Sequence, residues 1–257
     1  MLRCCLGALA GYGELIHDVI VSDDGSEKSA VSEMERISGE SPLYVKFVRQ
    51  ENKGYRLAAA RNNGIRNAAG DYIISLDCDI ILLPGALESH LRHAAEGFFL
   101  AGNRAFAGKG ETTTVLGGRL DRNFLEEVWA GAGREHLGKA HRQFVKSMIL
   151  RKFRLAKRHK PKLLGCHFSL FKNDIEKING FDEDYEGWGL EDDDFATRLH
   201  MAGIKGCSVI AEARALHLWH EHVASRPEGI SESPNYEYFK RSNVQMRCNN
   251  GIYRSNG

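Results

Sequence analysis

The stretch Gly70-Asp-Tyr-Ile-Ile-Ser-Leu-Asp-Cys-Asp79 decides the fold. Its apolar run from Tyr72 to Leu76 reads as a strand and passes directly into two acids separated by one residue. On an extended segment alternate side chains share a face, so Asp77 and Asp79 can project into one pocket. Paired carboxylates at a strand end suit a hard divalent cation that keeps positions open for phosphate oxygens.

The same alternation extends in both directions. Leu57 to Ala69 is Ala- and Arg-rich and helical, closed by Gly70. Before it lie a strand (Leu43 to Val48), a polar helix (Glu27 to Ile37) and a short strand (His17 to Ser22) ending in Asp23-Asp24-Gly25-Ser26. Leu2, Leu6 and Leu9 recur at helical spacing, and Pro84-Gly85 introduces a helix reaching about Glu96. Strand and helix in this rhythm predict an α/β, doubly wound, mostly parallel sheet. Ligands in such sheets bind beyond the carboxyl ends of the strands, where Asp23-Asp24 and Asp77/Asp79 both fall.

Composition narrows the function classes. The chain has 257 residues, 42% hydrophobic and 27% charged, with a formal charge of +1, so wholesale disorder and a polycation that coats nucleic acid are both excluded. Six scattered cysteines without a C-x-x-C pair exclude a zinc ribbon and a disulfide scaffold, and fit a reducing compartment. No run approaches the roughly 18–20 apolar residues of a membrane span. The N-terminus is too short, and too soon broken by Gly11 and Gly13, for a signal peptide. These features lead us to expect a soluble, cytoplasmic protein.

The second half carries further chemistry. His141 to Lys162 holds nine Lys and Arg and no acid, with Val145, Ile149 and Phe153 at i, i+4, i+8. That pattern describes a basic amphipathic helix, either a solvated face or a contact for anionic lipid or a phosphorylated acceptor. A strand follows in Leu163 to Phe171, then Gly187-Trp-Gly-Leu-Glu-Asp-Asp-Asp194 opens a helix to Met201, with a strand over Gly206 to Ile210. Acids at a helix N-terminus are favoured by capping and the dipole. The glycines before them add a tight approach, and Trp188 a flat apolar face on which a sugar ring can stack. One of the carboxylates would then serve as a general base. His217 and His220, in Ala215-Leu-His-Leu-Trp-His220, combine with carboxylate oxygens into a donor set for Mn²⁺ or a similar ion. Arg61 and Lys53 are candidate phosphate contacts.

Taken together these segments resemble the inverting GT-A glycosyltransferases of glycosyltransferase family 2, over about Leu2 to His222. The resemblance rests on Val21-Ser-Asp-Asp-Gly-Ser26, on Ala60-Arg-Asn-Asn-Gly64 followed by Gly70 to Asp79, and on Asn179-Gly-Phe-Asp-Glu…Gly-Trp-Gly-Leu-Glu-Asp-Asp-Asp194. The last segment is also similar to the C-terminal half of β-1,4-galactosyltransferases and of bacterial capsule and lipopolysaccharide enzymes. The resemblance implies that Asp23 and Asp24 contact the uracil and ribose of a UDP-sugar, with Arg61 near the nucleotide and Asp77 near the ribose or donor sugar. It further implies metal ligation by Asp79 and His217, with His220 as a third candidate from its place in the cluster, and Mn²⁺ or Mg²⁺ as the ion. Asp192 would be the catalytic base, with Glu191 and Gly189 on the acceptor and Trp188 under its sugar. Family members usually begin with an apolar strand that this chain, opening inside the following helix, is expected to lack. Cys166-His167 stands where relatives often carry an Asn.

The resulting expectation is a metal-dependent transferase moving a hexose or N-acetylhexosamine from a UDP-sugar to a surface-glycan or glycolipid acceptor, with no nucleic-acid partner. Peripheral contact with anionic membrane at the inner face of the cell would run through residues 141–162. The alternative is a non-catalytic sugar- or nucleotide-binding module. The expected division is a donor half (1–107), a basic insertion (108–162), an acceptor and catalytic half (163–230) and a C-terminal tail (231–257).

Overall fold

The computed structural model describes residues 1–221 and 227–254. Helix α1 (Leu2–Ala10) turns its Cys4, Cys5, Leu6 and Leu9 face inward, and leads to strand β1 (Val19–Asp23). Helix α2 (Lys28–Gly39) returns the chain to β2 (Val45–Arg49), which pairs in parallel with β1. Helix α3 (Leu57–Asn67) buries Ala58, Ala59, Ala60 and Ile65, small residues that let it lie close on its neighbours, and β3 (Tyr72–Leu76) follows. Then come β4 (Ile80–Leu82), α4 (Ala86–His93), β5 (Phe98–Ala101) and β6 (Ala105–Phe106).

Three helices occupy the middle: α5 (Lys109–Leu116), α6 (Arg122–Gly131) and α7 (Glu135–Lys152). The chain closes with β7 (His167–Phe171), α8 (Lys172–Lys177), α9 (Glu191–Met201), β8 (Lys205–Ser208), β9 (Ala215–His217) and α10 (Tyr236–Lys240). The strands read from the sequence are present within a few residues, while β4, β5 and β6 were not anticipated.

Pairing departs from the mostly parallel sheet. The larger sheet has the order β3-β7-β5-β8, and a third sheet the order β4-β9-β6. β7 is antiparallel to both β3 and β5, and β9 is antiparallel to β4. Only β1–β2, β5–β8 and β6–β9 are parallel. The cause is that β7 and β9, from the second half of the chain, enter between or beside strands of the first half without following its strand–helix rhythm. β1 is hydrogen-bonded to a strand only on its β2 side among the described residues.

Two other expectations shift. The basic helix ends at Lys152, because Arg154 adopts φ 60° and Arg151 folds back to donate to the carbonyls of Lys157, Arg158 and Lys160. The described part of 231–257, expected as a tail, is packed into the fold. Ile252 is buried with Phe168, Phe181 and Phe195, the last two rings stacked at 4.0 Å, and Cys248 is buried with its thiol against the carbonyls of Ile178 and Asn179. The Asn179 side-chain amide donates to the carbonyls of Cys248 and Tyr253 at 2.9 and 2.8 Å. A second apolar core gathers α1, β4, β9 and α6.

A buried polar chain joins α4 to the large sheet. His167 Nδ1 lies 2.8 Å from the Asn103 carbonyl, His167 Nε2 2.8 Å from His90 Nε2, His90 Nδ1 2.6 Å from Ser169 Oγ, and Ser169 Oγ 2.8 Å from the Tyr72 hydroxyl. The carbonyl only accepts, so His167 donates to it, His90 donates to His167, Ser169 to His90 and Tyr72 to Ser169. With both imidazoles neutral every member of the chain is satisfied in this order. Burial holds His90 well below the ordinary 6.5 and pushes His167 down to about 4. A histidine neutral in the fold but protonatable when unfolded stabilises the protein above about pH 6.5, and that stability is lost as the pH falls toward 4. Lowering the pH from about 7 to 5 is expected to remove on the order of 2 kcal/mol through His167 alone, read as a lower urea midpoint. An unchanged midpoint would rule out the neutral pair.

Candidate active site

The site forms where strand ends, α3 and the start of α9 converge. At its centre is Arg61 on α3. Its guanidinium donates to Glu191 Oε1 at 2.8 Å and reaches Asp77 Oδ1 at 3.5 Å, and it lies over the Phe181 ring at 5.3 Å. Burial by itself would lower the Arg61 pKa, but the carboxylates of Asp77, Glu191 and Asp192 hold it above its ordinary value. Arg61 was expected near a nucleotide; here it joins the end of β3 to the start of α9. Gly165 makes room for it, since a Cβ there would lie 2.4–2.6 Å from the guanidinium. A glycine inside an apparent strand is the signal that could have revealed this close approach.

The acidic run on α9 divides by partner. Glu191 is raised above its ordinary value by burial and by Asp192, against the opposing pull of Arg61. Asp193 binds Lys162 Nζ at 2.7 Å; burial and Asp192 raise its pKa while Lys162 lowers it. Asp194 accepts from Arg198 at 2.6 Å, the Tyr185 hydroxyl at 3.1 Å and Arg241 at 3.2 Å, and is fully buried. Asp192 is half-buried and accepts from two backbone amides, Asp193 at 2.8 Å and Gly165 at 3.3 Å. Among the described residues no cation stands within 4.0 Å of its carboxylate.

The loop before α9 is shaped by backbone conformation. Gly187, Gly189 and Leu190 all have positive φ (79°, 96° and 75°), and a Cβ on Gly187 would lie 2.8 Å from Pro234. Gly187 donates its amide to the Tyr55 carbonyl at 2.8 Å. The buried Ser233 hydroxyl donates to the Trp188 carbonyl at 2.7 Å, and the Asn235 amide to the Gly189 carbonyl at 2.9 Å. The Trp188 ring is thus carried on a loop pinned from both sides. Ser233 and Asn235 were not anticipated, because nothing local marks residues 45 positions away as partners. Tyr55 was also missed; burial, and then Glu191, push its hydroxyl up to about 12.

Asp79, His217 and His220 form the second corner. β4 pairs with β9 so that Ile80 faces His217, and Leu218 N donates to the Asp79 carbonyl at 2.9 Å. Asp79 Oδ2 lies 3.5 Å from His217 Nε2 and 3.1 Å from His220 Nε2. One donor atom from each residue falls within 4.8 Å of the others. The corner fits a divalent ion on three counts. His220 Nδ1 lies 2.7 Å from the Glu221 carbonyl and so carries a hydrogen, which leaves Nε2 as the ring nitrogen that faces Asp79 Oδ2. Asp79 Oδ1 is buried with no hydrogen-bond partner among the described residues. Burial also lowers the His217 pKa, against the pull of Asp79, favouring the neutral form that ligates. The donor set of imidazole and carboxylate suits a first-row divalent ion.

Asp23 and Asp24 sit at the end of β1, as expected, but the Asp23 carboxylate is engaged by its own turn and that of Asp24 by the segment between β2 and α3. Asp23 accepts from the amides of Gly25 and Ser26 and from the Ser26 hydroxyl. Asp24 accepts from the Gln50 side chain and from the Arg56 amide at 2.6 Å, tying β1 to the start of α3. Lys53 does not join the site: its side chain is exposed and pairs with Glu51 at 3.0 Å.

Residues 1–168, more than half of the chain, match the family described as glycosyl transferase family 2. The chain belongs to that family. Its architecture is accordingly the GT-A α/β fold expected from the motifs. Within this family 2 protein, residues 147–221 also match the N-terminal domain of galactosyltransferase. Validoxylamine A glucosyltransferase of Streptomyces hygroscopicus subsp. jinggangensis is 32% identical over 87% of this chain and 53% of its own length. Chondroitin synthase of Escherichia coli is 30% identical over 73% of this chain and 28% of its own. The chain therefore spans about half or less of the curated relatives it matches. Among solved structures, a mutant Drosophila β1,4-galactosyltransferase 7 in complex with manganese, UDP-Gal and xylobiose aligns over 92% of this chain and 83% of that one, with 13% identity and a TM-score of 0.49.

The pairing of Arg61 with Glu191 has a direct consequence. Truncating one partner leaves the other charge buried and unpaired, which costs about 3–5 kcal/mol. Arg61→Ala is expected to lower unfolding stability by roughly that amount in urea denaturation. A change below about 1 kcal/mol would show that the pair does not hold the two halves together.

Proposed function

We propose that this family 2 protein moves a hexose or N-acetylhexosamine from a UDP-sugar to a hydroxyl of a surface-glycan acceptor of the lipopolysaccharide or capsule type, inverting the anomeric centre. The observation that carries the reading is the Arg61 bridge, which joins Asp77, two residues from the metal corner, to Glu191, whose neighbour Asp192 has no cation within 4.0 Å among the described residues. The names of the relatives, a glucosyltransferase and a polysaccharide synthase, support the same class of reaction.

In this reading Asp79, His217 and His220 hold Mn²⁺ or Mg²⁺, which supplies positive charge to the departing diphosphate. Asp77, at the mouth of β3, lies beside the ribose or donor sugar, with Arg61 fixing its carboxylate. Asp23 and Asp24 shape the loop that receives the uracil. Trp188 offers its face to the acceptor sugar, and Gly189 lets the loop come close. Glu191, held by Arg61, orients the acceptor. Asp192 accepts the proton as the acceptor oxygen bonds to the anomeric carbon and the bond to the diphosphate breaks. No covalent enzyme intermediate is needed, and one displacement inverts the centre.

Calorimetric titration of UDP in the presence of Mn²⁺ is expected to show binding that disappears with EDTA and weakens at least about tenfold in Asp79→Ala. Asp192→Asn should bind UDP as the parent does but release UDP from a UDP-sugar roughly 10²–10⁴ times more slowly. Equal turnover by Asp192→Asn would remove it as the base. Binding without any turnover in the parent would favour a sugar- or nucleotide-binding module.

A further inference from the structure

Helix α7 presents an outer face that the other described residues leave open. Its inner side is anchored by the buried Phe144, whose ring meets Phe99 edge-on at 6.3 Å, and by His141, 2.9 Å from the Ser208 hydroxyl on β8. The opposite side carries Arg142, Val145, Lys146, Ile149, Lys152 and Phe153, all exposed and spaced as one helical face. Val145, Ile149 and Phe153 expose 42%, 52% and 70% of their surface, and Leu155 just beyond the helix exposes 72%.

The cations around these apolar residues are also uncommitted. Among the described residues, none of Arg142, Lys146, Lys152, Arg154 and Lys157 has a carboxylate within 4.0 Å, and the sequence has no acid between Glu135 and Lys162. The local positive field is strong enough to add to burial in pushing His159 down to about 4, through Lys160, Lys162, Lys157 and Arg158.

We propose that this face docks on an anionic lipid bilayer, with Val145, Ile149, Phe153 and Leu155 entering the headgroup boundary and the surrounding Lys and Arg meeting lipid phosphates. Charge complementarity selects the occupant. A second copy would set one cationic face against another. Nucleic acid would satisfy the charges but not the aliphatic side chains, and Phe153 alone supplies a stacking ring. A bilayer with negative headgroups satisfies both sets, and such surface binding draws on buried apolar area and electrostatic attraction together. Among the described residues no helix is long and apolar enough to cross a membrane, so the contact is with one surface. The segment after the docked face runs directly to the site: Lys162 binds Asp193, and the Gly165 amide binds Asp192. An acceptor carried on a lipid would thereby be presented beside that carboxylate. The last point rests on the sugar-transfer reading; the docking itself does not.

The test is co-sedimentation of the full chain with vesicles of phosphatidylcholine alone, and with roughly a third phosphatidylglycerol. Binding is expected only to the anionic vesicles and should fall in high salt. Ile149→Asp with Phe153→Asp, both on exposed positions, should weaken it at least about tenfold. The same double variant should titrate with UDP and Mn²⁺ as the parent does, so a failure of docking is distinguishable from a failure of the transferase reading. The proposal is overturned if the parent ignores anionic vesicles. It is equally overturned if the double variant binds them undiminished, which would mark a surface for polyanions in general.

Discussion

One buried guanidinium ties the two halves of this protein together. Arg61 rises from α3, in the half built from β1 to β5, and closes on Glu191 at the first residue of α9, 130 positions later. Because it also reaches Asp77, the end of β3 and the start of α9 are fixed to the same planar group. The fit depends on Gly165, which leaves space for the guanidinium, and on the Phe181 ring beneath it. A buried ion pair of this kind adds little net stability compared with an apolar contact, yet it is intolerant of losing either member. What it supplies is placement: the loop bearing Trp188 and the acids that follow must begin where Arg61 holds Glu191.

The metal corner depends on a different constraint, strand register. β4 and β9 are only three residues each, and their pairing sets Ile80 opposite His217. Asp79 and Leu218 continue that ladder by one bond, and the Ala107 amide extends it on the far side to the His217 carbonyl at 3.0 Å. A slip of one residue would turn His217 to the opposite face of the sheet. Both strands are buried almost completely in the apolar core shared with α1 and α6, whose Ile80, Ile81, Leu82 and Leu216 specify the register that the three candidate ligands require.

Much of this was legible because local sequence dictates local structure. Tyr72–Leu76 reads as a strand, and its two following acids fall at the strand end. Leu57–Asn67 reads as a helix that places Arg61 nearby. The meeting of His217 with Asp79 was implied by the family resemblance rather than by spacing, and the pairing of β4 with β9 is what brings it about. What the residues could not convey was nonlocal pairing. Nothing in His167–Phe171 says that it will run antiparallel between β3 and β5. Nothing in Ser233 or Asn235 indicates that they clamp the carbonyls of Trp188 and Gly189. Nothing in Asp23 or Asp24 says that the first organises the turn after β1 while the second holds the Arg56 amide ahead of α3. Arg154 shows the same limit on a smaller scale: a periodic apolar pattern continued past Lys152, but a left-handed backbone ended the helix there.

The acidic run on α9 shows how neighbours, not residue type, separate the duties of similar side chains. All four acids share the favourable field of one helix N-terminus. Three of them then acquire cations: Glu191 from Arg61, Asp193 from Lys162, and Asp194 from Arg198 and Arg241. Protonating any of these would weaken an ion pair on which packing relies. Among the described residues Asp192 has the amides of Gly165 and Asp193, one of them at 3.3 Å, and no cation within 4.0 Å. Neutralising its charge would break no ion pair within 4.0 Å among the described residues. That difference in consequence, set by four sets of partners along four consecutive residues, is why the proposed transfer gives the hydroxyl proton to Asp192 rather than to its neighbours.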